Sequence, residues 1–312
     1  MQKRNNDNER DFVMSEKLQY REIIKKLELK APWRLLDFAE KVDDTHLAGF
    51  KNFTADEEFF VGHFPVHPIV PGVLQLEAVR QLCVCFLADE PGDLRVKAIE
   101  KVKFRRQILP GDRMRVDVEV SGNENGEIVC KASCSTVSGV CSQGIITFTA
   151  EKAESAGLQE IPALDGECAR TAEIAMDTDK VIALMPHRYP FLQIDYIAKF
   201  EGSKIVAVKN ISCNESFINA GFDFVPETLL CEIAAQSGCA CVLSRPENAG
   251  KLGFFMAIDH AVFHRQVVPG EQICIEIDLP ESKSRFGKGS GFIRCNGEVV
   301  AEVSLMFALV DA

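Results

Sequence analysis

Much that would classify a chain at sight is missing here. No apolar run approaches the roughly 18 residues that a membrane-spanning helix needs, so no membrane segment is expected. The stretch MQKRNNDNERDFVMSEK is charged throughout and lacks the apolar core of a signal peptide. It reads as a charged, flexible tail over residues 1–18 of a cytoplasmic protein. No two cysteines stand at the CxxC spacing of a zinc site, and no metal is expected. Lysine and arginine gather on no face large enough to follow a phosphate backbone, and the net charge is −11, which excludes nucleic acid as a partner. Any acidic partner has to meet a local basic patch.

The 312 residues are too many for one ordinary core and suit two domains of roughly 140 residues with a connector. A composition 46% hydrophobic and 26% charged is that of a soluble globular protein. Several of the twelve cysteines sit in apolar segments such as LCVCFLA and GCACVL. They read as reduced, buried thiols, with Cys83/Cys85 and Cys239/Cys241 in core packing.

An internal repeat organises the chain. AIEKVKFRRQILPGDRMRVDVEV at 98–120 and AIDHAVFHRQVVPGEQICIEIDL at 257–279 keep Ala-Ile-acid, Phe-x-Arg-Gln and Pro-Gly-acid in register at an offset of 159. Upstream, KNFTADEEF pairs with KNISCNESF, and APWRLLD pairs with RYPFLQID through Pro32 with Pro190 and Asp37 with Asp195. Two glutamate-bearing helices, around Glu77 and Glu232, pair as well. The halves are duplicated domains, 19–152 and 174–312, and the small, acidic, aperiodic segment 153–173 is the linker.

Each half begins with a short amphipathic helix and a strand, followed by a loop and the glutamate helix. Strands such as RMRVDVEVSG and CSQGIITFTAE then alternate apolar and polar residues between turns, as antiparallel strands with one buried face do. The helix from Val73 to Ala88 is apolar almost all round and is therefore enclosed. A curved antiparallel sheet wrapped around one central helix, an α+β fold, satisfies this in each half, and the tandem copy packs two such units side by side.

GHFPVHPIVPGVLQLEAVRQ at 62–81, with LMPHRYPFLQID and FHRQVVPGE in the second half, resembles the hotdog-fold beta-hydroxyacyl-acyl carrier protein dehydratases of the FabZ/FabA type, in a tandem double-hotdog form. The likeness covers roughly residues 20–150 and 175–312, and the spacing from His-Phe-Pro through Pro-Gly-Val-Leu to Glu is its specific part. It implies a lyase that dehydrates 3-hydroxyacyl thioesters to trans-2-enoyl thioesters in fatty acid, polyketide or aryl-polyene synthesis. The partner is an acyl carrier protein whose phosphopantetheine carries the substrate, and no separate cofactor is expected. Association of double-hotdog chains into a homo-oligomer is compatible with it. The departures, Trp33 and Arg34 in the first half and an eroded loop in the second, lean toward a specialised pathway.

Such a dehydration removes a weakly acidic proton alpha to a carbonyl and expels hydroxide, so it needs both a base and an acid. Histidine suits the base, and a carboxyl group kept protonated by burial suits the acid. Glu77 and Glu232 both stand among apolar helix residues, where desolvation raises a carboxyl pKa. The amide of Gly72, at a helix N-terminus, is placed to hold the enolate-like oxygen. In the family each site takes its histidine from one hotdog and its acid from the other. The resemblance therefore pairs His63 with Glu232, with Gln236 one turn on to orient the carboxyl.

The reciprocal site needs a histidine in the second loop, which is three residues shorter; the two ways of counting place Ile218 or Gly221 there. His187, His260 and His264 fall in other elements, and His67 and His264 read as surface or structural residues. Glu77 is then a remnant or a second-site acid, and one working site per chain is expected. Lys97, Lys101, Lys103, Arg105 and Arg106, along one strand, form a candidate carrier-protein dock. An enoyl-thioester hydratase, a hotdog thioesterase and a non-catalytic carrier-protein-binding scaffold are the other readings.

Overall fold

The computed structural model describes residues 15–90, 94–124, 126–150, 173–248, 250–280 and 286–311. The first half contributes β1 (Glu16–Gln19), α1 (Tyr20–Leu27), β2 (Phe38–Lys41), β3 (His46–Asn52), α2 (Gly72–Leu87), β4 (Arg95–Phe104), β5 (Arg113–Glu124), β6 (Glu127–Thr136) and β7 (Gly139–Thr149). The second contributes α3 (Thr178–Leu184), β8 (Tyr196–Glu201), β9 (Lys204–Asn210), α4 (Ser216–Asn219), α5 (Glu227–Leu243), β10 (Lys251–Phe263), β11 (Gln272–Asp278), β12 (Phe286–Cys295) and β13 (Glu298–Asp311). All thirteen strands form one antiparallel sheet, ordered β1-β2-β3-β5-β6-β7-β4-β10-β13-β12-β11-β9-β8. Read from either end toward the middle, β2-β3-β5-β6-β7-β4 and β8-β9-β11-β12-β13-β10 are the same arrangement, a double hotdog.

The seam has twofold logic. Ala98 of β4 pairs with Val262 of β10, the repeat counterpart of Lys103, and Lys103 pairs with Ala257, the counterpart of Ala98. Two duplicated units thus meet through the same strand of each, as subunits do in an isologous dimer. The repeat also survives in side chains. Asp37 Oδ2 accepts the Asn52 amide at 2.7 Å, and Asp195 Oδ2 accepts the Asn210 amide at 2.7 Å.

The two glutamate helices run through the core. Thirteen of the sixteen residues of α2 and all seventeen of α5 are buried, because a sheet curls around each and the helices also pack on one another. Deleting most of one such side chain, Leu82 or Leu230 for example, costs about 2–5 kcal/mol. Each helix is preceded by a proline, Pro71 or Pro226, and neither N-terminus carries a side-chain cap. The third amide of each helix turns back to that proline's carbonyl, Leu74 to Pro71 at 3.1 Å and Leu229 to Pro226 at 2.8 Å, which leaves the first two amides to other acceptors.

Two expectations change. Glu16–Leu18, read as tail, begin strand β1, which pairs with β2 at the sheet edge; a four-residue strand is too short to show periodicity. Residues 1–14 of the tail and 153–172 of the linker lie outside the described residues. Among the described residues ten cysteines are free thiols, nine of them buried, but Cys274 is disulfide-bonded, which corrects the reduced reading at that position. No helix among the described residues is long and apolar enough to cross a membrane.

Candidate active site

One end of the seam holds a cavity of about 590 Å³ walled by both halves. His63, Gly72 and Phe104 come from the first half, and His187, Glu232, Cys239 and Phe307 from the second. His63 sits on the loop before α2, where its Nδ1 lies 2.9 Å from the Ile69 carbonyl. A carbonyl oxygen only accepts, so Nδ1 carries the hydrogen and Nε2 keeps its lone pair. Phe191 meets the imidazole edge to face at 5.3 Å. Burial pulls the His63 pKa down to about 4, against the opposing pull of the Ile69 carbonyl.

Glu232 lies in the second turn of α5, where the sheet of its own half and the first half enclose it. Burial pushes its pKa up to about 7, and the hydrogen bond from Gln236 only partly offsets this. Gln236 Nε2 donates to Glu232 Oε1 at 2.8 Å and to the Phe191 carbonyl at 2.8 Å, while its Oε1 accepts the Gln193 amide at 2.8 Å. The carboxyl is thus tied to the loop that also buttresses His63. Gly72 is the first residue of α2, and a Cβ there would lie 2.7 Å from the Phe104 ring, so only glycine lets helix and ring approach this closely.

Sequence reasoning missed His187. Its Nε2 is 3.6 Å from Glu232 Oε1 and its ring is 5.5 Å from that of His63. Burial first, and then the neighbouring charges of His63 and Arg188, hold its pKa well below the usual histidine value. No spacing in the segment MPHRYPF announces this: the Arg188 amide donates to the Gly62 carbonyl at 3.0 Å, which sets the residue before Arg188 beside the residue after Gly62.

The other end of the twofold shows what the second half has lost. The Lys30 amide donates to the Ala220 carbonyl at 2.7 Å, the counterpart of the Arg188–Gly62 bond. This makes Gly221, not Ile218, the structural equivalent of His63. Leu29 stands for His187, Glu227 for Gly72 and Arg80 for Ala235. Arg80 forms a two-pronged ion pair with Glu77, its Nε at 2.9 Å and its Nη2 at 2.8 Å, and Thr228 reaches Glu77 Oε2 at 3.1 Å. Gln81 repeats the role of Gln236, donating to Glu77 and to the Trp33 carbonyl. The apolar surroundings expected for Glu77 are therefore corrected, because a buried guanidinium occupies them.

The basic run is also less uniform than expected. Lys97, Lys101 and Lys103 are exposed on β4, but Lys97 is ion-paired with Glu127, and Arg105 and Arg106 lie beyond the strand, on the rim of the cavity. Among the described residues neither arginine has an ion-pair partner. Their repeat counterparts, His264 and Arg265, are engaged by Glu302 and by Glu271 and Glu298.

The FabA-like domain model matches residues 34–141 and 185–304, more than half of the chain. The 3-hydroxyacyl-[acyl-carrier-protein] dehydratase FabZ of Geobacillus thermodenitrificans is 42% identical over 140 residues, which is 97% of that protein and 44% of this chain. FabZ of Bacillus subtilis is 40% identical over 138 residues, 98% of its length and 43% of this chain. Among solved structures, the dehydratase domain of RzxB from Pseudomonas fluorescens aligns with a TM-score of 0.58 at 15% identity, over 88% of this chain and 98% of its own. The dehydratase domain from the CurK module of curacin polyketide synthase aligns with a TM-score of 0.58 at 15% identity, over 87% and 94%. Fold, duplicated motif and relatives agree: the chain belongs to the FabA-like family.

Proposed function

We propose that this chain dehydrates 3-hydroxyacyl thioesters carried on an acyl carrier protein to trans-2-enoyl thioesters, at one site per chain. The observation that carries the reading is a neutral imidazole from one half and a proton-bearing carboxyl from the other, facing one cavity across the seam.

His63 Nε2 takes the alpha proton, and the Gly72 amide holds the negative charge that develops on the thioester oxygen. Glu232 gives its proton to the beta-hydroxyl, the C–O bond breaks, and water leaves as the double bond forms. Passing the proton from His63 back to Glu232 resets the site. His187 stays uncharged beside Glu232, so it supplies no cation that would strip the acid of its proton, as Arg80 would beside Glu77. Gln236 holds the carboxyl in position. Glu77 serves as half of a structural ion pair.

Arg105 and Arg106, cationic and without ion-pair partners among the described residues, stand on the cavity rim and suit the phosphopantetheine phosphate and an acidic carrier protein. Lys101 and Lys103 extend that patch and Lys97, already paired, adds less.

The test is to incubate the protein with a 3-hydroxyacyl carrier protein and follow enoyl thioester formation for wild type, His63→Ala, Glu232→Gln and Glu77→Gln. Loss of turnover in the first two variants alone is expected. Loss in Glu77→Gln with activity kept in Glu232→Gln would overturn the cross-seam assignment.

A further inference from the structure

Among the described residues, His63, His187 and Glu232 gather one ligating atom each within 4.8 Å of one another, all three buried. We propose that this tripod is a Zn²⁺ site, and that zinc bound there inhibits the enzyme by occupying its base and its acid together. Only the inhibition rests on the dehydratase reading; the binding stands on the donors alone.

Two imidazoles and one carboxylate, the last formed as the ion displaces the Glu232 proton to solvent, are the donor set of zinc enzymes that leave a fourth position open. Tetrahedral bonds of about 2.0–2.2 Å set ligand atoms roughly 3.3–3.5 Å apart. His187 Nε2 and Glu232 Oε1, at 3.6 Å, are already close to that spacing, and the 4.8 Å limit on the other pairs calls for side-chain movement on the order of 1 Å.

The supports that orient metal ligands are in place for two of the three. The Ile69 carbonyl fixes the His63 tautomer that leaves Nε2 free, and Gln236 holds the Glu232 carboxyl. His187 Nδ1 is buried without a hydrogen-bond partner, so nothing else commits that ring's tautomer. The cavity thiol, Cys239, is pushed up to about 12 by burial and stays protonated, a poor competitor for the ion. At the other end of the twofold the corresponding residues are Gly221, Leu29 and an ion-paired Glu77, so the stoichiometry is one zinc per chain.

The experiment titrates chelator-stripped protein with Zn²⁺ alone, by calorimetry and by competition with a chromogenic chelator, with Co²⁺ absorption reporting the ligand set. One equivalent is expected to bind. His63→Ala, His187→Gln and Glu232→Gln should each weaken it at least about tenfold, and Cys213→Ser, which removes the one exposed thiol among the described residues, should leave it unchanged. Far-ultraviolet circular dichroism of each variant separates lost ligands from lost fold, and His187→Ala stands in should the Gln variant misfold.

Equal zinc affinity in the three variants, loss of binding in Cys213→Ser, or a thiolate charge-transfer band with Co²⁺ would each overturn the site. Turnover unaffected by a saturating equivalent of Zn²⁺ would overturn the inhibition. No thioester is present in the binding measurement, so a failed dehydratase reading leaves the zinc result standing, and an active enzyme that ignores zinc refutes this inference alone.

Discussion

The two ends of the seam began as copies and now solve different problems. At one, Glu232 is a carboxyl without a cation: Gln236 holds it, His187 and His63 are neutral, and Gly72 leaves space beneath Phe104. At the other, Glu77 keeps the matching glutamine but has acquired Arg80, a helical turn away, and Glu227 occupies the place of Gly72. A lone buried carboxyl is strained toward protonation and is a potential acid. The same carboxyl beside a guanidinium is half of an ion pair whose worth is structural. The position in the fold is common to both ends, so the neighbours one turn away decide the chemistry.

The largest expected effect lies at the first end. His63→Ala and Glu232→Gln should each lower kcat/KM by about 10²–10⁴-fold, and the double variant should fall little further than either single one, because the base and the acid act in one step. Steady-state kinetics with a 3-hydroxyacyl carrier protein give the answer. Independent, additive losses would break the claim that the two residues serve one site. Stability should respond in the opposite pattern. Glu232→Gln exchanges a neutral carboxyl for a neutral amide, whereas Glu77→Gln strands a buried guanidinium at a cost of about 3–5 kcal/mol by urea unfolding. Replacing Glu77 and Arg80 together by apolar residues should recover most of that loss. A Glu77→Gln variant as stable as wild type would show that Arg80 is held by other groups.

Acidity sharpens the contrast further. In the proposed mechanism the base works while His63 is neutral, above about pH 4, and the acid works while Glu232 is protonated, below about pH 7. The profile of kcat/KM should therefore be bell-shaped, falling as pH drops through about 4 and as it rises through about 7. Glu77→Gln should leave both limbs in place. A basic limb that moves in that variant would assign the titration to the wrong end of the molecule.

Much of this was legible in the sequence for a physical reason: duplication preserves the register of strands and helices, so an offset of 159 announced the twofold that the Ala98–Val262 and Lys103–Ala257 pairs display. His63, Gly72 and Glu232 were legible because they sit at fixed spacings within continuous motifs. His187 was not, because its place depends on a loop-to-loop backbone bond between Arg188 and Gly62 that no spacing encodes. Arg80 could have been found: a charge three residues from a glutamate on an otherwise apolar helix has nowhere to go but onto that carboxylate. The two gap placements that left Ile218 and Gly221 open were settled only by the Lys30–Ala220 bond. The four residues of β1 carried no period to read.

The asymmetry reaches the surface, where the smallest effect is expected. Arg105 and Arg106 stand on the rim of the cavity with no ion-pair partner among the described residues, while Arg265 is held by Glu271 and Glu298, and His264 by Glu302. Charges already neutralised by neighbours offer little to an acidic partner; charges facing solvent at the cavity mouth offer attraction that salt screens. Reversing Arg105 and Arg106 to glutamate should raise KM for a carrier-protein substrate several-fold at low salt, with the difference shrinking as ionic strength rises. Turnover of a short, uncharged thioester analogue should stay as it was, since neither arginine reaches the reacting atoms in the proposed mechanism. The same reversal at Arg265 should instead cost stability, by leaving Glu271, which is 6% exposed, beside a new like charge. If Arg265→Glu and the rim reversal weaken carrier-protein turnover equally, the mouth of the cavity has no privileged role, and the comparison between the two ends stops at the buried residues.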